Sequence, residues 1–178
     1  MEDQTRKLLA VFSIIGLLVA VALISGELRE EQENNESFGQ VDYQEVNDSR
    51  VTAVFVKENT SLAELKLEKA DTPEERRVGL MNRTSIENGT GMMFIWRSSS
   101  ERNFWMKNTY VPLDMIFVTA EKTIRTIKEA NPQPNVSEED LKTYSSEGPV
   151  RYVIEANQNF TDKFGISEGD RVSFNLSD

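Results

Sequence analysis

Hydrophobic and polar residues alternate in short stretches from residue 51 onward, and this pattern predicts a mainly β domain. Ala63, Leu65 and Leu67 alternate with charged residues, which is the period-2 pattern of a half-buried strand. Many short strands with one clear helix are typical of a β-sandwich or a small barrel. Further apolar runs bounded by turn residues predict strands at 51–56, 91–96, 103–107, 113–119, 123–128, 150–156 and 171–176.

The clearest helix signal begins at Thr72, whose hydroxyl can cap the first turn. Pro73 suits the first helical position, and Glu75 completes a capping box with Thr72. The pattern predicts a helix from Pro73 to about Met81. It also predicts a short helical turn at 137–140 and a turn at 165–170 before the last strand.

The N-terminal region contains an uncharged apolar run of 19 residues at 8–26. A helix rises about 1.5 Å per residue, so this run just spans a bilayer core of roughly 30 Å. Arg6 and Lys7 precede the run and acidic residues follow it, which places the N-terminus in the cytoplasm. The sequence predicts a single-pass anchor at 1–26. The alternatives are a cleaved signal peptide, suggested by the small residues at 20–22, and a buried core helix.

Residues 27–50 are acidic and nearly free of large apolar side chains. They contain eight acidic residues against Arg29 and Arg50. Such a composition cannot bury enough apolar surface to offset the entropy cost of ordering. The segment 27–50 is therefore predicted to be a stalk without fixed structure, followed by an extracytoplasmic β domain at 51–178.

The composition excludes several classes of chemistry. The chain has no Cys and no His, which removes disulfides, thiol nucleophiles, Cys/His zinc sites and a histidine base. Its net charge of −10 argues against a nucleic-acid partner, which requires a basic face. The sequence predicts no metal and no cofactor, and any catalysis would rest on Asp, Glu, Lys, Tyr, Ser or Thr.

Asn-x-Ser/Thr sequons are more frequent than chance predicts. Eight occur, whereas 13 Asn and 27 Ser plus Thr in 178 residues predict about two. The excess is typical of a surface exposed to an N-glycosylation system, and a generally Asn/Ser/Thr-rich polar surface is the alternative. The candidate acceptors are Asn35, Asn47, Asn59, Asn82, Asn88, Asn135, Asn159 and Asn175.

The segment 103–117 contains the highest density of charged, polar and aromatic residues that could form a functional site. Asp114 lies inside an apolar run, and an unpaired carboxylate in a core is costly. We therefore expect it to contact Arg76, Lys107, or the backbone N–H groups near residues 108–109. Glu155 ends a second apolar strand, so the same cost applies to its carboxylate.

Seven residues are candidates for a ligand-binding site. Each of them also has a purely structural alternative. The arginine, Arg76, would form an ion pair with Asp114 or Glu155, and the aromatic residue, Trp105, would pack in the core. The remaining polar residues would form a network that fixes a turn. The polar candidates cluster where a strand ends, and functional sites are often found at such positions. The candidates are Arg76, Trp105, Lys107, Asn108, Thr109, Asp114 and Glu155.

An ordered series of motifs resembles the family known as domain of unknown function 192, over roughly residues 60–176. The most specific motif is Phe-Trp-Met-Lys-Asn-Thr at 104–109. The resemblance implies a compact, jelly-roll-like β-sandwich and a prokaryotic protein, often exported or membrane-anchored, but no reaction. With the sequons, it suggests an archaeal source. The other motifs are Glu-Arg at 75–76, Gly-Leu-Met at 79–81, Gly-Met-Met-Phe at 91–94, Pro-Leu-Asp at 112–114, Phe at 117, Tyr-Val-Ile-Glu at 152–155, Gly at 165 and Gly-Asp at 169–170.

Two functions from different classes follow from these patterns. The first is a membrane-anchored binding or accessory module at the outer cell surface, with a glycan, a peptide or another small molecule as ligand. The second is a hydrolase or transferase that uses Asp114, Glu155 and Lys107. Paired carboxylates about 5–10 Å apart in an open cleft would favour the enzyme.

Overall fold

The computed structural model describes residues 50–176. The predicted anchor, nearly all of the predicted stalk, and the sequons at Asn35 and Asn47 lie outside the described residues. Within 50–176, no helix is long and apolar enough to cross a bilayer.

The described chain is built mainly from nine strands. β2 and β3 pair in parallel through a crossover connection, and the other ladders are antiparallel. Seven strands form one sheet in the order β6-β5-β8-β3-β2-β1-β9, and β4 pairs with β7 in a separate ribbon. The strands are β1 (Val51–Lys57), β2 (Thr60–Ala70), β3 (Thr90–Ser100), β4 (Asn103–Trp105), β5 (Leu113–Val118), β6 (Ile124–Ala130), β7 (Thr143–Ser145), β8 (Val150–Asn157) and β9 (Arg171–Ser173).

The seven-stranded sheet curls until its two edges touch at one place, beside Thr123 and Arg171. The backbone N–H of Ile124 donates to the carbonyl of Asp170 at 2.9 Å, and the N–H of Val172 donates to the carbonyl of Lys122 at 2.9 Å. These bonds join the start of β6 to β9, so the sheet forms a curled half-barrel. The prediction of a mainly β domain is confirmed, and its form is closer to the small barrel than to the sandwich.

Both faces of the central strands are buried, which requires apolar residues at successive positions. On β5, Ile116 belongs to one core, whereas Met115 and Phe117 belong to the other. β8 alternates in the same way, with Ile154 in the first core and Val153 in the second. By this alternation, Asp114 faces the first core and Glu155 faces the second.

The predicted capping box is present at the start of helix α1 (Pro73–Val78). The Thr72 hydroxyl accepts from the N–H of Glu75 at 3.2 Å, and the Glu75 carboxylate accepts from the N–H of Thr72 at 3.0 Å. The helix ends earlier than predicted, because Gly79 has a φ of 48° and lies against the ring of Phe94. A Cβ at Gly79 would lie only 2.9 Å from that ring, so glycine is required both for the backbone angle and for the close approach.

Two short elements differ from the sequence prediction. Helix α2 (Phe160–Phe164) lies in a stretch for which the sequence predicted no element, and within residues 50–176 its N-cap Asn159 makes no side-chain hydrogen bond. The strand β7 has three residues and pairs only with β4, so it carries little apolar pattern. A 3₁₀ turn at Glu138–Asp140 confirms the predicted helical turn.

Candidate functional site

A cavity of about 130 Å³ lies between α1, β4 and the sheet. We call it the Glu155 cavity. The residues after α1 form one wall, and β4 with the turn that follows it forms another. Its lining residues of functional interest are Arg76, Arg77, Phe94, Trp96, Asn103, Phe104, Trp105, Lys107, Thr109 and Glu155.

Glu155 is a buried carboxyl group without a partner. On β8 it lies between Met92 of β3 and Met115 of β5, its cross-strand neighbours. It is 5% exposed, and within residues 50–176 its carboxyl group has no hydrogen bond or ion pair. Desolvation in this apolar setting raises the pKa of Glu155 to about 8. The group is therefore mainly a neutral hydrogen-bond donor at pH 7.

Asp114 is fully buried but lies outside the Glu155 cavity. Its carboxylate accepts from the N–H of Asn159 at 3.2 Å and from the N–H and hydroxyl of Thr161 at 2.9 Å and 2.7 Å. The expected contact with Arg76, Lys107 or residues 108–109 is wrong. The carboxylate instead satisfies the donors at the start of α2, which the sequence pattern did not predict.

Lys107 and Asn108 form the turn that follows β4. The Lys107 ammonium pairs with the Glu138 carboxylate and lies 5.3 Å from the centre of the Trp105 ring. Asn108 has a φ of 52°, and its carbonyl accepts from the N–H of Asn82 at 2.7 Å. Asn108 therefore shapes the turn and does not line the Glu155 cavity, whereas Lys107 reaches that cavity.

Arg76 is fixed by backbone carbonyls and makes no ion pair within residues 50–176. Its guanidinium donates to the carbonyl of Ile95 at 2.9 Å and to the carbonyl of Asp71. It lies 5.4 Å from the centre of the Trp96 ring. The alternative of an ion pair with Asp114 or Glu155 is therefore wrong.

Two neighbouring aromatic residues on β4 face opposite sides of the strand, so one packs in the core and the other is exposed. Phe104 packs edge-on against Phe94, Trp96 and Phe117 at centroid distances of 5.0, 6.1 and 5.8 Å. Its neighbour Trp105 points the other way on β4 and is 43% exposed at the cavity. An exposed indole beside a cavity offers an apolar face to a ligand.

The structure thus brings five of the seven sequence candidates to one cavity. Asn108 and Asp114 are the exceptions. The sequence pattern did not indicate that Trp96, Asn103 and Arg77 line the cavity. The period-2 pattern could have predicted Trp96, because on β3 it follows Phe94 by two positions and therefore lies on the same face of the strand.

The sequence of residues 54–174 matches the family described as uncharacterized ACR, or domain of unknown function 192. The chain belongs to this family. The match covers most of the chain and confirms the resemblance drawn from the motifs. No curated protein matches the chain.

Two solved structures resemble this family member. One, from Sinorhizobium meliloti 1021, is described as a putative transcription regulator; it is 35% identical over 70% of this chain and 92% of its own, with a TM-score of 0.63. The other is a protein of unknown function from Novosphingobium aromaticivorans DSM 12444. It is 31% identical over 70% of this chain and 84% of its own, with a TM-score of 0.62.

Proposed function

We propose that this domain is a binding module that takes a small carboxylate group into the Glu155 cavity. The observation that carries the proposal is a buried carboxyl group that opens into a cavity and has no partner within residues 50–176. A buried polar group without a partner is costly, so a ligand that pairs with it gains binding free energy. The cost is offset when the ligand is bound.

The chemistry of the cavity selects the ligand. The protonated Glu155 donates a hydrogen bond, and the guanidinium groups of Arg76 and Arg77, which make no ion pair within residues 50–176, attract negative charge. The third cation of the cavity, Lys107, is already paired with Glu138. A volume of about 130 Å³ lies below the roughly 300–1,000 Å³ of pockets that hold drug-sized ligands. Only a small molecule, or the end of a larger one such as an acidic sugar or a peptide carboxyl terminus, fits.

Binding of glucuronate to the full-length chain tests this proposal. We expect affinity to fall as the pH rises from 7 to 9, because ionised Glu155 repels the carboxylate. Glu155→Gln should bind at pH 7 and lose most of this pH dependence, since its amide remains a neutral donor. The measurement is calorimetric titration at several pH values, with uncharged glucose as the control ligand and Glu129→Gln, at an exposed position, as the control variant.

An unchanged pH dependence in Glu155→Gln would overturn the role of Glu155. Equal affinity for glucose and glucuronate would overturn the choice of a carboxylate. Trp105→Ala should weaken binding without changing its pH dependence, because the indole supplies contact area but no titrating group.

An acid/base enzyme is the second candidate, and the raised pKa of Glu155 favours it. However, Asp114 pairs with Ala156 and Met115 pairs with Glu155, so the two carboxyl groups lie on opposite faces of the sheet. They do not form a carboxylate pair across one cleft. Cleavage of a glycoside or ester that disappears in Glu155→Gln would favour the enzyme over the binding module.

We further propose that the domain lies outside the cytoplasm on a single-pass anchor, with glycans on several sequons. The apolar run at 8–26 and its flanking charges support the anchor. The six sequon asparagines within residues 50–176 are all exposed, which supports glycosylation. They are Asn59, Asn82, Asn88, Asn135, Asn159 and Asn175.

Protease added to intact cells is expected to digest the domain, and mass spectrometry of the native protein should show added mass at several sequons. The control is protease treatment after cell lysis, which exposes the domain in either orientation. A domain that is protected in intact cells and carries no added mass would contradict the proposed placement.

A further inference from the structure

Four arginines line a second depression, which lies beside the Glu155 cavity and shares only Arg76 and Trp96 with it. This groove has a volume of about 740 Å³, and we call it the arginine groove. Its arginines come from three separate parts of the chain: α1, the β3–β4 region and β8. They are Arg76, Arg97, Arg102 and Arg151.

An irregularity of β3 holds three of these arginines in place. The pairing of β3 with β8 breaks between Ile95 and Ser100. Carbonyl groups from this stretch accept from the arginines instead. The Ile95 carbonyl accepts from Arg76 at 2.9 Å, the Trp96 carbonyl from Arg151 at 3.1 Å and the Ser98 carbonyl from Arg102 at 2.9 Å.

The guanidinium groups are also held against an aromatic ring. Those of Arg102 and Arg76 lie 4.4 Å and 5.4 Å from the centre of the Trp96 ring. A guanidinium has five N–H donors, and the backbone bonds use only one or two on Arg76, Arg102 and Arg151. Most donors are therefore available in fixed positions.

Within residues 50–176, the four arginines outnumber the one carboxylate that lines the groove, Asp71. None of the four arginines is within ion-pair distance of a carboxylate there. In the described part of the chain, Arg97 makes no side-chain hydrogen bond and the Nε of Arg102 is buried without a partner. Desolvation and the nearby charge of Arg76 lower the pKa of Arg102. Residues 50–176 carry 17 Lys plus Arg against 19 Asp plus Glu, and four of these cations lie together at one groove.

We infer that the arginine groove binds a doubly charged oxyanion group of the phosphate class. Planar guanidinium groups match such oxyanions through paired hydrogen bonds. The groove gathers four arginines at one place, which suits one or two oxyanion groups, whereas a nucleic acid requires a basic face that contacts many phosphates. A small phosphate or phosphate monoester is therefore favoured over a nucleic acid.

Calorimetric titration of the full-length chain with inorganic phosphate tests this inference. We expect saturable binding that weakens with added salt, while singly charged nitrate binds more weakly. Arg97→Gln and Arg151→Gln should each reduce the affinity for phosphate by roughly tenfold, since each removes a charged hydrogen-bond donor. Lys66→Gln removes the same charge from an exposed position on β2, outside the groove, and should leave phosphate binding unchanged.

Arg97 is the decisive position, because its side chain makes no hydrogen bond within residues 50–176 and its replacement should not disturb folding. Glu155 does not line the groove, so Glu155→Gln should bind phosphate normally. This separates a failure of the groove from a failure of the Glu155 cavity. Vesicles with phosphatidic acid distinguish the source: binding that requires Arg97 would assign a lipid headgroup, and binding of free phosphate alone would assign a soluble ligand.

Two results would overturn the inference. One is equal phosphate affinity in Arg97→Gln, Arg151→Gln and Lys66→Gln. The other is tight binding of a DNA duplex without measurable binding of inorganic phosphate, which would make the groove part of a nucleic-acid interface.

Discussion

Replacing Asp114 by alanine is expected to lower the free energy of unfolding by about 3 kcal/mol, because it leaves three donors without their acceptor. The carboxylate holds the N–H of Asn159 and both the N–H and the hydroxyl of Thr161. These bonds tie the start of α2 to β5 across a fully buried position. Urea unfolding of the full-length chain, followed by tryptophan fluorescence, measures the change.

Two further variants separate the contributions of the individual hydrogen bonds to the Asp114 carboxylate. Asp114→Asn should cost less than Asp114→Ala, because one oxygen remains to accept the bonds of Thr161. Thr161→Val removes only the hydroxyl bond and should cost about 1 kcal/mol. Asp162→Ala is the control: Asp162 is exposed on the same helix, and its replacement should change stability by about 0.5 kcal/mol or less. An unfolding midpoint unchanged by Asp114→Ala would show that these three bonds do not stabilise the domain.

The stability of the domain is expected to fall as the pH rises through the neutral range, because Glu155 is buried as the neutral acid. Its pKa is about 8 in the folded chain, against an ordinary value of 4.5. Between these values the folded state holds a proton that the unfolded state has lost. The contribution of this bound proton to the free energy of unfolding is therefore fully present below about pH 4.5, and it is lost as the pH rises through 8.

The expected slope is about 1.4 kcal/mol per pH unit between the two pKa values, which amounts to about 5 kcal/mol across the whole interval. The absence of histidine makes this slope easier to observe, because no imidazole titrates in the same range. Unfolding free energies at pH 5, 6, 7 and 8 measure it directly. Glu155→Gln should flatten the slope and be more stable than the unmodified chain at pH 8. The same slope in both proteins would assign the effect to another group.

Local features of the domain were predictable from sequence because they depend on neighbouring residues. The capping box at Thr72 is complete within three positions, and the alternation from Ala63 to Leu67 records a half-buried strand. The short helix α2 was not predictable in this way. Its first donors are satisfied by Asp114, which lies more than 40 residues earlier in the chain.

The residue types of the site were also visible in the sequence, but their partners were not. Asp114 and Glu155 both look like charges misplaced in apolar strands. The register of β5 against β8 places them on opposite faces of one sheet. Asp114 then accepts hydrogen bonds from the donors of α2, whereas Glu155 lies between two methionines and lines an open cavity.

The sequence by itself determined the family, the mainly β class, the lack of histidine and cysteine chemistry, and five of the residues that line the Glu155 cavity. The tertiary structure decided which charges are paired. Among the described residues 50–176, it left Glu155 without a partner and gathered Arg76, Arg97, Arg102 and Arg151 around one groove. The physical reason is that strand register, sheet curvature and the break in β3 bring together side chains from distant segments, and no local pattern records those distances.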